Sequence, residues 1–263
     1  MTDSPRLLQP EQQWSARMSD PAFFFQIDNA EGSGDAVIVC EHASNDLTAA
    51  ANALGLSVDQ RQAHIAWDPG ALGVAKGLSS ALDAPLIHAT ASRLIYDLNR
   101  PPDSPGAMPA RSEAYDIPGN RDLTPRQRLE RTRAHYIPFH AALFSLLARR
   151  LASGRPTALI TVHSFTPVYF STRREVEFGI IHEADDRLAR AILARDVGLL
   201  TRLNDPYSAA DGVTHTLALH ATPLGLGHAM LEIRNDLIAT PVAQQAMANR
   251  LAPAIREAVK ECL

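Results

Sequence analysis

The chain has 263 residues, 46% of them apolar, enough to bury a full core as one large domain or two small ones. A formal charge of -4 and a pI near 6.2 argue against nucleic acid or an anionic membrane surface as a partner. Cys40 and Cys262 make no disulfide framework, no apolar run reaches the ~18–20 residues of a bilayer span, and the first residues lack the basic-then-apolar order of a signal peptide; a cytoplasmic setting is expected.

Residues 1–34 read as a polar, irregular entry with one apolar patch, Phe23 to Phe25. AVIVCE (36–41) has the valine and isoleucine content of a buried strand, with Cys40 as a small core residue. Asn45 or Asp46 is placed to cap a helix through LTAAANALGL. Asp68-Pro69 opens a further helix over about 69–82. PLIHAT and RLIYDLNR then both read as strands.

From Arg100 to Pro125 the chain is rich in Pro, Gly, Asp, Ser and Arg. A loop of that length in a compact domain is usually a lid or a binding loop. The segment 124–154 reads as a long helix, kinked at Pro138. ITVH, VEFGIIH and LEIRND read as strands, DDRLARAILAR as a helix, and a last helix begins near 241. There is no polar linker and no internal repeat. The expectation is a single α/β domain over 1–263, with a mixed, mostly parallel sheet flanked by helices.

Two histidines stand at the carboxyl ends of such strands, His42 in EHASN and His163 in VHSF, and a third strand carries Glu232. Strand ends converge on one crevice in open α/β sheets, and two imidazoles with a carboxylate are the parts of a metal-assisted hydrolase. Zinc hydrolases commonly use three protein ligands, and the third is open here. Asp68 has the right chemistry but reads equally well as a helix cap. Asn45, three residues after His42, is a neutral amide, while Glu41 should point away from His42 if strand alternation persists. Glu232 lies between Leu231 and Ile233, where an unpaired carboxylate is costly. An ion pair with Arg234 is the bland alternative. Arg93, Asp97, Asn99 and Arg100 fall within eight residues, and guanidinium groups beside an amide suit an acidic, amino-acid-like substrate.

Together these segments resemble the N-formylglutamate amidohydrolase family, within the wider group of zinc carboxypeptidase-like hydrolases. The family order of a histidine loop, an aspartate opening a helix, and SR-x-x-x-D-L-N-R is matched by His42, Asp68 and SRLIYDLNR. The V-H and E-x-R segments are matched at His163 and at Glu232 to Arg234, so the likeness runs from about 35 to 240. DLNR is also similar to aspartoacylases and succinylglutamate desuccinylases, and LEIRND to the carboxypeptidase strand with the catalytic glutamate.

The resemblance implies zinc, or another divalent metal, on His42 and His163, with Asp68 as the candidate third ligand and Glu232 as general base. It implies that Arg93 polarises the scissile carbonyl while Asn99 and Arg100 grip a substrate carboxylate, with Asn45 nearby. It departs from the carboxypeptidase pattern at Asn45, where those enzymes have glutamate, and HASN replaces the commoner histidine-serine-glycine form. A divergent branch is therefore expected. The implied partner is a small N-acyl acidic amino acid such as N-formylglutamate. The alternatives are another N-acyl amino acid or peptide as substrate, or a metal-free protein binding acidic metabolites. Oligomeric state is not encoded in any feature of the sequence.

Overall fold

The computed structural model describes residues 24–263; Phe23 and the first part of the expected irregular entry lie outside them. The rest of that entry is not irregular throughout, because Phe25–Asp28 forms a strand, β1. It is followed by β2 (Ala36–Cys40) and β3 (Leu86–Ala89). A small hairpin, β4 (Arg111–Ser112) with β5 (Tyr115–Asp116), precedes the long strand β6 (Ala158–Phe165). A second hairpin, β7 (Val168–Tyr169) with β8 (Thr172–Arg173), leads to β9 (Phe178–Ile181), β10 (Thr201–Leu203) and β11 (His228–Arg234).

Seven strands make one sheet in the order β1-β3-β2-β6-β11-β9-β10. The pairs β3/β2, β2/β6, β6/β11 and β9/β10 are parallel, while β1/β3 and β11/β9 are antiparallel. This is the expected single domain with a mixed, mostly parallel sheet. Alternation along the strands sorts side chains onto two covered faces. A short helix, α1 (Val58–Gln62), precedes α2 (Ala71–Leu82), and Ile38, Ile160 and Leu231 pack under α2 together with the two last helices, α5 (Arg187–Leu193) and α6 (Pro241–Cys262). Val37, Val39, Leu159 and Met230 face α4 (Ile137–Ala152), which follows α3 (Pro125–Arg131), and the segment around Leu217 and Leu226. No helix among the described residues is long and apolar enough to cross a membrane.

Two expected elements are replaced. LTAAANALGL is not an α-helix: Asn52, Ala53 and Leu54 take left-handed backbone angles and only a short 3₁₀ turn forms at Ala51–Gly55. Leu47, Leu54 and Leu56 are committed to a small cluster with Ile65, Ile95 and Ile117, and one straight helix could not aim them all there. The helix start moves instead to Ser57, whose side chain accepts from Gln60 N while the Gln60 side chain returns to Ser57 N. RLIYDLNR is a chain of turns rather than a strand. Ile95 N donates to Ser92 O and Arg100 N to Asp97 O, and the Asp97 carboxylate takes Asn99 N at 3.0 Å. An aspartate that bonds the backbone two residues on competes with a sheet ladder.

The expected long helix is not one regular element, and Pro138 falls in the first turn of its second part, α4. A π turn at Thr132–Tyr136 separates α3 from α4.

Candidate active site

His42 follows β2 after Glu41, His163 lies on β6 and Glu232 on β11, and these three strands are adjacent and parallel. The register sets Glu232 beside His163, so both side chains leave the same face of the sheet. That face is the one shared with Leu159 and Met230, because their alternating neighbours Val162, Leu231 and Ile233 belong to the core under α2 and α6. The carboxyl ends of these strands open into a cleft of about 310 Å³, lined among others by His42, Asp68, Arg93, Arg100, His163 and Glu232.

Asp68 does not cap α2. The N-cap is Gly70, with no side-chain bond, and the Asp68 carboxylate is turned the other way. Its Oδ2 lies 3.3 Å from His42 Nδ1 and 3.0 Å from His163 Nδ1, and the two nitrogens are 3.2 Å apart. Each histidine is backed by a further carboxylate. His42 Nε2 is 2.8 Å from Asp97 Oδ1, and His163 Nε2 is 3.1 Å from Glu41 Oε2, the latter within ion-pair reach but off the line of a hydrogen bond. Glu41 does not line the cleft and meets His163 on the ring edge opposite Asp68.

These contacts set the charges. Burial and Arg93 oppose protonation of His42, yet Asp97 and Asp68 raise its pKa above the ordinary imidazole value. Burial likewise opposes protonation of His163, but Glu41 and Asp68 raise it well above that value. Burial resists ionisation of Glu41 and Asp68, and the histidines hold both low nevertheless, Glu41 at about 2. A centre that draws protons onto two buried imidazoles is a centre that attracts positive charge.

Glu232 behaves differently. It is buried, its Oε2 has no hydrogen-bond partner among the described residues, and its pKa is pushed up to about 7, by burial first and by Asp68, against the opposing pull of His163. Arg234 is not its partner: that guanidinium donates to Asp236 at 2.8 Å and pairs with Glu177 at 3.4 Å. Gly179 on β9 stands opposite Glu232, and a Cβ there would lie 3.3 Å from Glu232 Cβ and 2.2 Å from Asp205 O.

The arginines divide. Arg93 is engaged, with Nε and Nη2 on Asp97 Oδ2 at 3.2 and 2.6 Å and Nη1 3.4 Å from Asp68 Oδ1. Arg100 lines the cleft with Nη1 fixed on the carbonyls of Asp211 and Gly212, at 2.9 and 2.7 Å, and no carboxylate partner among the described residues. Asn99 also lines the cleft, but its amide joins Val213 O and Thr216 N, clamping that segment against the DLNR turn. Asn45 is not brought to the cleft. Its Nδ2 donates to Arg61 O at 3.1 Å, and it borders a separate surface depression with Asp46 and Leu47.

Two further residues enter that the sequence did not single out, and Asp97, noted there only as part of the DLNR cluster, gains a definite contact. His64 and Tyr207 line the cleft. Burial drives His64 down to about 4, so it is neutral at pH 7, and burial together with Glu232 pushes Tyr207 up to about 12, so its phenol keeps its proton. Asp97 orients His42. Its placing two residues before Asn99 was the available signal; His64 and Tyr207 carry none.

The donor set fits a divalent cation. His42, Asp68 and His163 each offer an atom within 4.8 Å of the others. Their spacings of 3.0, 3.2 and 3.3 Å compare with about 3.3 Å for the edges of a tetrahedron with ~2.0–2.1 Å bonds. A carboxylate behind each metal-facing imidazole is the usual orienting arrangement.

A family model described as N-formylglutamate amidohydrolase matches residues 34–239. The crystal structure of gene product Atu2144 from Agrobacterium tumefaciens is similar at 50% identity and a TM-score of 0.89, over 91% of this chain and 96% of that one. The crystal structure of N-formylglutamate amidohydrolase from Ralstonia eutropha JMP134 is similar in fold, with a TM-score of 0.70 at 17% identity, over 91% of this chain and 99% of that one. No curated protein matches the chain.

Proposed function

The chain belongs to the N-formylglutamate amidohydrolase family, and on that premise we propose that it is a metal-dependent amidohydrolase. Its substrate in this reading is an N-acyl acidic amino acid, and the group removed is a small acyl, formyl first. The reading is carried by one observation: three metal-type donor atoms meet in the cleft that also holds the unpartnered Glu232 carboxylate.

His42, Asp68 and His163 would hold the cation, zinc or another divalent ion. Such an ion acts as a Lewis acid on the acyl carbonyl and makes water more acidic. Asp97 and Glu41 fix the two imidazoles so that Nδ1 faces the cleft. Glu232 is buried in the cleft with Oε2 unpartnered among the described residues, and burial raises its proton affinity in the metal-free protein, which suits it to general-base work. It takes the proton of the attacking water and hands it to the leaving amine. Arg93, partly exposed between Asp97 and Asp68, would meet the charge that develops on the carbonyl oxygen. The free edge of Arg100 receives a substrate carboxylate.

The test is metal content of the purified protein together with turnover over a panel of N-acyl amino acids varied in acyl length and side-chain charge. Stoichiometric divalent metal and fastest turnover with N-formyl acidic amino acids are expected. Full activity after exhaustive chelation, or a preference for long acyl chains, would overturn the assignment.

A further inference from the structure

An acidic amino acid carries two carboxylates once its amine is acylated, and Arg100 can grip only one of them. Arg93 cannot take the other at full strength, because Asp97 and Asp68 already share its charge. The cleft has another guanidinium beside it. Arg174 follows β8, with its backbone N on Pro167 O at 2.9 Å and Nη1 3.4 Å from Thr166 O. Its Cζ lies 4.5 Å from the Tyr169 ring centroid, 4.9 Å from that of Tyr207 and 5.5 Å from that of Phe165.

Three rings around one guanidinium hold the fork in place and strip part of its hydration. Structural arginines in such a setting are normally matched by an acid, and this one is not. No carboxylate pairs with Arg174 among the described residues, and the adjacent Glu175 lies 3.6 Å from Arg202 instead. Two of the three rings, Tyr169 and Tyr207, line the cleft. The field of Arg174 is felt at two of the cleft's lining residues. After burial, Glu232, Arg174 and Asp68 act on Tyr207, and Arg174 also contributes, behind burial and the nearer groups, to the low pKa of His64.

We propose that Arg174, caged by Phe165, Tyr169 and Tyr207, is a second carboxylate subsite, so that the cleft selects dicarboxylic ligands through Arg100 and Arg174 together. The inference rests on the amidohydrolase reading for the identity of the substrate but not for its test. Arg111 is the competing cation. It sits on the exposed β4–β5 hairpin and lines the cleft next to Glu113, whose carboxylate opposes an anion there.

The experiment is calorimetric titration of the full-length protein with glutarate and with glutaramate, which differ by one carboxylate. Wild type should bind glutarate roughly 10–100-fold more tightly, the worth of a charge-assisted hydrogen-bond pair. Arg174→Gln should bring the two ligands within about threefold while leaving glutaramate affinity unchanged. Arg174→Lys, which keeps the charge and loses the fork, should give an intermediate ratio, and it decides the matter if the glutamine variant does not fold. Arg111→Gln should keep the wild-type ratio. An unchanged ratio in both Arg174 variants, or its collapse in Arg111→Gln alone, overturns the assignment. Hydrolysis of N-formylglutamate by wild type is read separately: binding selectivity without turnover would sink the amidohydrolase reading and leave the subsite standing, and turnover without selectivity would do the reverse.

Discussion

Replacing Glu232 by glutamine keeps the shape of the side chain and removes its charge, and it should make the metal-free protein more stable as it makes the loaded protein inactive. Glu232 titrates near 7 rather than 4.5 because burial, and after it Asp68, disfavour the charged form more than His163, His42 and Arg93 favour it. A carboxyl whose folded pKa lies above its unfolded one contributes stability that is complete below about 4.5 and is lost as the pH rises through about 7. That gap is worth about 3 kcal/mol. In chelated protein, urea melts of Glu232→Gln and wild type should therefore coincide near pH 4, and the variant should lead by up to about 3 kcal/mol at pH 8. Added cation should narrow the lead, since a nearby positive charge favours the carboxylate. Turnover on the same preparation should fall by about 10²–10⁴-fold with metal content unchanged. A variant no more stable than wild type at pH 8 would refute the electrostatic argument, and a fully active one the proton-transfer role.

Asp68→Asn should cost the protein its stoichiometric metal in elemental analysis, because the amide cannot stand in for the carboxylate oxygen between His42 and His163; retained metal would return Asp68 to a purely structural role. Glu41→Gln should weaken metal binding by about 10–100-fold in chelator competition, since the carboxylate behind His163 orients that ring. An unchanged affinity would show that packing alone holds the imidazole. Gly179→Ala should lower thermal stability by about 1–3 kcal/mol, because the new methyl meets Asp205 O at 2.2 Å, and activity should fall with it as β11 and Glu232 shift; a wild-type melting temperature would mean that the loop after β10 yields freely.

The residues that were legible in the sequence are those whose position follows from periodicity. His42, His163 and Glu232 end or occupy parallel strands, and the topology of a parallel sheet alone brings such positions to one edge. Asp68 was ambiguous for a physical reason: a cap and a ligand need the same carboxylate before the same proline, and only the direction of the side chain separates them. It points to the histidines, and Gly70 caps α2. Where local preference and tertiary demand disagree, the reading fails. The alanine-rich segment before Gly55 has helix propensity throughout, yet burying Leu47, Leu54 and Leu56 in one cluster breaks it into left-handed turns. RLIYDLNR has strand composition, yet Asp97 bonds the backbone at Asn99 and folds it into turns, which is what lets one carboxylate reach both His42 and Arg93. The same logic explains why Arg174, Tyr207 and His64 were invisible. They lie in loops, where no period constrains direction, and what marks them is an absence that only coordinates reveal: a cation with no acid, a phenol and an imidazole with no charge, all facing or flanking one cleft. The proposed catalytic set draws on strand residues (His163, Glu232) and on turns or loops (His42, Asp68, Arg93) alike, whereas Arg174 lies in a loop outside that set, so selectivity is expected to be alterable by mutation without touching catalysis.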